Sequence, residues 1–154
     1  MNTETKQAKV MFRVPNSEDG EDVETLWAFP MGGDLYKIDN SPFYAYGVSW
    51  GDTVEAPWSE EHGFPVFRRV VEKSGYRTVR VILDPPAENN NESQKLLEEI
   101  TALGCSYEGA NRSYVTVDIP KEIDLWKVRD FLVEKEVKWE HADPTYEELF
   151  PDAE

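Results

Sequence analysis

Residues 114–132, YVTVDIPKEIDLWKVRDFL, carry the clearest strand and helix patterns in the second half of this chain. Val115, Val117 and Ile119 alternate with other residues, a pattern that predicts a β-strand with one buried face. Asp124 is a preferred N-cap residue and stands directly before an apolar set at helical spacing, so a helix is expected to follow it. The buried face of that helix is expected to carry Leu125, Val128, Phe131 and Leu132.

The elements on either side of this stretch form a known order. A first helix is predicted with Asn91 as its cap and Gly104 as its C-terminal stop. The full order from strand to strand is strand, helix, strand, strand, helix, strand, which predicts a ferredoxin-like half over residues 74–143 with both helices on one face of an antiparallel sheet. The elements are expected at residues 76–83, 92–103, 106–110, 114–119, 124–134 and 137–142.

Residues 9–73 show a different pattern, with many short extended segments and no helical period. The alternation of Val10, Phe12 and Val14 is typical of a strand with one buried face. Many short strands separated by turn residues predict a small bent β-barrel of the SH3-like kind, so the whole chain is expected to be α+β. The strands are expected at residues 9–14, 23–29, 35–38, 43–49, 53–56 and 66–72, after a disordered tail at residues 1–8.

Charge and composition narrow the classes of function. The chain carries 31 acidic and 16 basic residues, a formal net charge of -15, which disfavours direct binding to nucleic acid or to an anionic membrane surface. The same charge would accelerate encounter with a basic partner, although it also promotes solubility. Because the chain has one cysteine, no signal-peptide pattern and no apolar run of spanning length, a cytoplasmic location is expected.

Four motifs occur in order in the first half and at its junction with the second. They are ETLWA at 24–28, YKIDNSPF at 36–43, YGV at 46–48 with Gly51-Asp52, and SGYRTVRV at 74–81. In these motifs the chain resembles the bacterial proteins grouped as domain of unknown function 4265, which also continue into a helix, two strands and a second helix. The resemblance implies a fold and no reaction. Members of that family often carry a histidine after the Ser-Gly pair, where this chain has Tyr76.

No arrangement of residues indicates catalysis or a cofactor. His62 and His141 are far apart in the sequence and lack the companion spacing of a metal site. Cys105 follows a helix stop and begins a strand, where a cysteine usually fills apolar space. Ser74 has no histidine near it in the sequence that could act as its base. We therefore expect no enzymatic activity, no cofactor and no metal.

The predicted function is binding to a protein partner, and the leading interpretation is an immunity-like inhibitor that masks a basic effector of the toxin or nuclease type. Acidic residues would steer the encounter and exposed aromatic residues would anchor the interface. They lie in an acidic loop, an aromatic segment and an acidic C-terminal tail at 144–154. The assigned residues are Glu18, Asp19, Glu21, Asp22, Tyr44, Tyr46, Trp50, Trp58, Tyr146, Glu147, Glu148, Phe150 and Asp152.

Other interpretations remain open at this point. Ser74, Tyr76, Arg77 and Arg80 could hold an anionic ligand, as in a sensor or an enzyme. We favour the simpler interpretation, in which the cations of segment 68–80 neutralise the protein's own acidic surface. The aromatic segment could pack in the core instead of binding a partner, and the chain could be a structural subunit of a larger assembly.

Overall fold

The computed structural model describes residues 6–14 and 22–152 and shows a mixed α+β protein built mostly from antiparallel sheets. The chain divides into two compact units, with the boundary between Ser74 and Gly75. Of the helices in the described ranges, none has both the length and the apolar character needed to cross a membrane.

The first unit contains a five-stranded antiparallel sheet. In spatial order its strands are β1 (Ala8–Arg13), β2 (Val23–Gly32), β3 (Leu35–Ile38), β4 (Thr53–Glu55) and β7 (Arg69–Glu72). A separate two-stranded ribbon pairs β5 (Trp58–Ser59) with β6 (Phe64–Pro65). The inner face of the sheet buries an apolar cluster that consists of Val10, Phe12, Leu26, Ala28, Ile38, Ala45, Val48, Val54 and Ala56.

The described part of the first unit contains no closed barrel, which corrects the closed form of the prediction. β1 and β7 stand at opposite ends of the sheet. The segment before β7 meets β1 through an isolated bridge between Met11 and Val66, a 2.8 Å hydrogen bond from Phe67 N to Met11 O, and the stacked rings of Phe12 and Phe67 with centroids 4.6 Å apart. Because this bridge is isolated, no ladder forms there that would close the sheet on itself.

A second correction concerns the strand predicted at residues 43–49. Residues 39–52 form a loop, and none of them belongs to a strand. The backbone N–H groups of Phe43, Tyr44 and Ala45 donate to the carboxylate of Glu24 on β2, so they are not available to a neighbouring strand. We call residues 39–52 the anchored loop.

The second unit is a four-stranded antiparallel sheet with helices. In spatial order the strands are β11 (Lys138–Asp143), β8 (Arg77–Ile82), β10 (Tyr114–Ile119) and β9 (Ser106–Gly109). Two helices, α1 (Glu92–Ala102) and α2 (Leu125–Glu134), connect the strands. The side chain of Asn91 accepts a hydrogen bond from Gln94 N and that of Asp124 accepts one from Trp126 N, so both predicted N-caps are confirmed.

Both helices of the second unit pack on the same face of its sheet. In the strand register Val117 lies opposite Val79 and Val115 lies opposite Val81, so these four side chains share one face. They form a single buried cluster with residues of both helices, namely Leu96, Leu97, Ile100, Leu125, Val128 and Leu132. A short third helix, α3 (Tyr146–Leu149), follows β11 and completes the unit.

Candidate functional site

Glu24 fixes residues 43–45 of the anchored loop of the first unit. The Glu24 carboxylate accepts hydrogen bonds from the backbone N–H groups of Phe43 at 2.7 Å, Tyr44 at 3.1 Å and Ala45 at 2.9 Å. A carboxylate that accepts several backbone N–H groups makes stronger bonds than a neutral acceptor would. Glu24 therefore replaces the ladder bonds that a strand would have supplied.

The end of the anchored loop is fixed by Asp52, which is fully buried. Its carboxylate accepts hydrogen bonds from Ser49 N at 2.9 Å, Ser74 N at 2.8 Å and Lys73 Nζ at 2.6 Å. The hydroxyl of Ser74 donates to the backbone oxygen of Trp50 at 2.7 Å. Asp52 and Ser74, which belong to two separate motifs, are thus joined in one hydrogen-bond network. Both donor groups of Ser74, its N–H and its hydroxyl, bind other atoms of the protein.

The anchored loop brings together three of the aromatic residues assigned to partner binding. Tyr44 and Trp50 are partly exposed, and Tyr46 is half-buried. The indole Nε1 of Trp50 donates to Asp39 Oδ1 at 3.2 Å. Trp58 lies instead on the β5–β6 ribbon, where it is 62% exposed. The structure therefore groups Tyr44, Tyr46 and Trp50 in one loop and places Trp58 on a different element.

The residues of the alternative anion site make internal contacts. In the second unit, Arg77 Nη2 donates to the backbone oxygen of Pro120 at 2.7 Å and also to that of Ile123. Arg80 is only 2% exposed, and its Nη1 lies 3.6 Å from Glu140 Oε1. Oxygen atoms of the protein itself thus lie near the guanidinium groups of Arg77 and Arg80. The anion site stays a prediction.

The cations of segment 68–80 are not uniformly exposed. Arg68 and Arg69 have mostly exposed side chains, and both lie within 3.5 Å of a carboxylate oxygen of Glu55. Lys73 is half-exposed and contacts buried Asp52. Together with the burial of Arg80, these contacts agree with the interpretation that the segment neutralises nearby acidic groups.

The second unit presents an aromatic and acidic surface near its C-terminus. We call it the C-terminal surface, and it consists of Trp126 and Arg129 on α2, Tyr146 and Glu147 on α3, and Phe150 and Asp152 beyond α3. The ring centroids of Trp126 and Phe150 lie 5.9 Å apart, and those of Tyr146 and Phe150 lie 4.8 Å apart. Trp126 is 43% exposed and Tyr146 is 51% exposed.

The local sequence explains why the C-terminal surface is ordered. Thr145 and Glu148 form a capping box, in which Thr145 Oγ1 accepts from Glu148 N and the Glu148 side chain accepts from Thr145 N. Leu149 packs against the apolar cluster of the second unit. Residues 144–152, predicted as an acidic tail, therefore include a capped helix, while Glu147 and Asp152 remain exposed.

His141 lies on β11 close to the C-terminal surface. It is 6% exposed, and its ring centroid lies 4.8 Å from that of Trp139 and 6.5 Å from that of Phe150. Within the described ranges neither ring nitrogen has a hydrogen-bond partner. Burial, together with the charge of Arg129, lowers the pKa of His141 below its usual value of 6.5, so the ring is neutral at neutral pH and packs as an aromatic group.

Cys105 is also held in its neutral form. It is buried, and burial raises the pKa of its thiol to about 11. Since the thiolate is the nucleophilic form, this thiol is unreactive at neutral pH. Among residues 6–14 and 22–152, no group of three or more His, Cys, Asp or Glu side chains is arranged to hold a metal ion.

Some assigned residues cannot be placed, and others were missed. Glu18, Asp19 and Glu21 lie outside the described residues, whereas Asp22 is exposed. The sequence interpretation did not assign Trp126 or Arg129 to the site. One signal was present: Trp126 falls outside the buried helical set of α2, and a large aromatic residue on the solvent side of a helix is a candidate for an interface.

Comparison with known proteins identifies a family and a fold. The family model described as "Domain of unknown function (DUF4265)" matches residues 24–142. No curated protein matches the chain. A solved structure titled "Novel crystal structure of a hypothetical protein from Neisseria gonorrhoeae" is similar, with a TM-score of 0.74 and 16% sequence identity over 93% of this chain and 99% of that chain. At this identity the similarity shows the fold alone.

Proposed function

The chain belongs to the family described as "Domain of unknown function (DUF4265)". We propose that it works by binding a protein partner through the C-terminal surface. The observation that carries this proposal is a pair of exposed rings, Trp126 and Tyr146, held against Phe150 by defined contacts. Large aromatic side chains that are already ordered lose little conformational freedom on binding, which makes them effective anchors.

The partner that fits this surface is basic. Glu147 and Asp152 are exposed at its edge, and the net charge of the chain is -15. Within the described residues, no lysine or arginine lies at ion-pair distance from either carboxylate. Charges of this kind at the edge of an interface accelerate association with an oppositely charged partner.

An immunity-like inhibitor is the role we propose for such a protein. A toxin or nuclease that acts on nucleic acid needs a basic surface to hold phosphates, and an acidic protein with aromatic anchors could cover that surface. This role places the chain in the cytoplasm with its target and requires neither a cofactor nor contact with nucleic acid or membrane. The alternative of a structural subunit predicts a constant partner that is not toxic.

On the finer architecture, we propose that the second unit is ferredoxin-like and that the first is an open relative of the SH3-like barrel. The order β11-β8-β10-β9, with two helices on one face, supports the first assignment. The bridge between Met11 and Val66 supports the second, because it brings the segment before β7 against β1 at the opposite end of the sheet.

The proposal is tested by capturing partners with the tagged chain and measuring the affinity of each captured protein for variants. Trp126→Ala and Tyr146→Ala should each weaken the true partner about 30-fold, since truncation of an interface anchor costs about 2 kcal/mol. Trp27→Ala is the matched control, because Trp27 is 44% exposed, nearly as much as Trp126 at 43%, and belongs to the first unit. A partner whose affinity is unchanged by both aromatic truncations would contradict the proposal.

Charge steering is tested separately with association rates. The double variant Glu147→Gln and Asp152→Asn should slow association at low salt and have a smaller effect at high salt, because added ions already screen the attraction. The control is Glu60→Gln with Glu61→Gln, two exposed acidic residues between β5 and β6. Equal slowing by the two pairs would indicate that net charge, and not this surface, steers the partner.

A further inference from the structure

Arg129 lies at the centre of the C-terminal surface. Its guanidinium carbon is 5.3 Å from the ring centroid of Trp126 and 5.2 Å from that of Phe150. Within the described part of the chain it makes no ion pair, and its Nε is buried without a hydrogen-bond acceptor. A buried donor without an acceptor is unfavourable, so this position favours any partner group that can accept.

The isolation of Arg129 contrasts with the surroundings of the other arginines whose contacts are known. Each of those has a guanidinium nitrogen within 3.6 Å of an oxygen atom of the protein, as is expected in a chain with 31 acidic residues. Within the described residues, buried Nε atoms without a hydrogen-bond acceptor also occur in Arg77 and Arg80, so the contrast lies in these oxygen contacts. The acceptors are Glu55 for Arg68 and Arg69, the backbone oxygens of Pro120 and Ile123 for Arg77, Glu140 for Arg80 and Glu88 for Arg112.

A second polar group without a partner lies close to Arg129. Both ring nitrogens of His141 are buried and have no hydrogen-bond partner within the described ranges, and its ring faces Phe150 at 6.5 Å. The positive charge of Arg129 is near enough to lower the pKa of His141, after the larger effect of burial. Arg129 therefore makes this part of the surface cationic, and within the described residues its Nε and the His141 ring have no hydrogen-bond partner. Glu147 and Asp152 add exposed carboxylates to the same surface.

We propose that Arg129 receives a carboxylate from the protein partner, supplied by an Asp or Glu side chain in the middle of an otherwise basic segment. This inference rests on the proposed function and names the chemistry that the surface selects. The planar guanidinium offers paired N–H donors that match a carboxylate. The surrounding rings of Trp126 and Phe150 shield that contact from water and so strengthen it.

The arrangement of charges also gives specificity. A uniformly acidic segment would be repelled by Glu147 and Asp152, and a uniformly basic segment would place a cation against Arg129. Only a segment with basic ends and an acidic centre matches both parts of the surface. The contacts of Arg129 with the aromatic rings alone explain where its guanidinium lies, but they leave its Nε without an acceptor.

Two synthetic peptides test this inference with the full chain. They have equal length, blocked ends and the same lysine and leucine residues, and they differ only in a central Glu or Gln. Isothermal titration calorimetry should show the Glu peptide binding about tenfold more tightly than the Gln peptide, because a hydrogen bond to a charged group contributes at least that much. Amide and ring NMR signals of His141 should shift with the Glu peptide only.

Variants of Arg129 assign the preference to this residue. Arg129→Gln should remove the tenfold preference, so that the Glu and Gln peptides bind this variant with equal affinity. Arg129→Lys keeps the charge, loses the planar fork and should retain only part of the preference, so it serves if the glutamine variant does not fold. Trp27→Ala, an exposed residue of the first unit whose folding is checked by the same melting curves, should behave as the parent chain does.

The outcomes separate the two proposals. Equal affinity for both peptides, or a preference that survives in Arg129→Gln, overturns the carboxylate inference and leaves partner binding in place. Absence of binding by either peptide overturns this inference together with the basic partner on which it rests. A preference for Glu that depends on Arg129 supports both.

Discussion

The two units are stabilised by different kinds of interaction. The second unit uses apolar packing, with two helices and one sheet face sharing a continuous buried cluster. The first unit has a smaller apolar cluster, and two carboxylates hold backbone N–H groups of the anchored loop: Glu24 accepts from residues 43–45, and Asp52 accepts from Ser49. Polar side chains therefore support structure in the first unit.

The two units therefore differ in which polar residues are candidates for a binding site. In the first unit, polar residues of the motifs form hydrogen bonds inside the protein, as Ser74 does with Trp50 and Asp52. In the second unit the apolar cluster supplies the core, and within the described residues the ring nitrogens of His141 and the Nε of Arg129 have no hydrogen-bond partner, which makes these two residues more informative about function.

The largest effect is expected from the apolar cluster of the second unit. Leu132→Ala removes a fully buried side chain of α2 and should lower the free energy of unfolding by about 3–4 kcal/mol. Urea unfolding measures this loss, and hydrogen exchange should show faster exchange in β8 and β10. Val133→Ala, one residue along the same helix and 57% exposed, should change stability by less than about 0.5 kcal/mol. Similar losses in both variants would contradict the packing described for α2.

A somewhat smaller effect is expected from the carboxylate of the first unit. Asp52→Ala leaves three donors without their acceptor and should cost about 2–3 kcal/mol, with faster hydrogen exchange concentrated in the anchored loop. Asp34→Ala, at an exposed position of the β2–β3 turn, is the control and should be nearly neutral. If the two substitutions cost the same, the contrast between the units is incorrect.

The capping box of α3 should have a local effect of about 1 kcal/mol. Thr145→Ala removes the side chain that caps the helix, so the amides of residues 146–149 should lose protection from exchange. Thr145→Ser keeps the hydroxyl and should retain the protection. Equal protection in both variants would show that packing of Leu149, and not the cap, orders the C-terminal surface.

The smallest effect is a dependence on pH that originates at His141. Because its pKa in the folded chain lies below the usual 6.5, the unfolded chain binds the proton more readily, and stability should fall as pH decreases below about 6.5. Melting temperatures at pH 7.5 and pH 5.5 measure the fall. His141→Phe keeps a buried ring and should reduce this fall, whereas His62→Gln, at an exposed position, should not.

The sequence predicted those features of the fold that depend on near neighbours. Alternation located β10, and the caps Asn91 and Asp124 located both long helices. The error at residues 43–49 has the opposite origin, because the acceptor for that backbone is Glu24, about twenty residues earlier in the chain. No local sequence pattern predicts that a distant carboxylate will accept the backbone hydrogen bonds that a neighbouring strand would otherwise accept.

The candidate site was predictable only in part for a similar reason. Tyr146 and Phe150 were assigned from their acidic surroundings, and both contribute to the C-terminal surface. Trp126 and Arg129 were not, because their contact with Phe150 joins residues more than twenty positions apart, and periodicity describes only which face of α2 is buried.

The close approach of Gly51 and Ser74 has a consequence for how such sequences can change. A Cβ atom on Gly51 would lie 3.0 Å from Ser74 Cβ, and the backbone of Gly51 has a φ of +85° that other residues rarely adopt. The two positions belong to separate motifs, yet they share one small space. A side chain at position 51 would meet Ser74 and would also be strained by this φ, so an engineered library should keep Gly51 and admit at position 74 only residues no larger than serine.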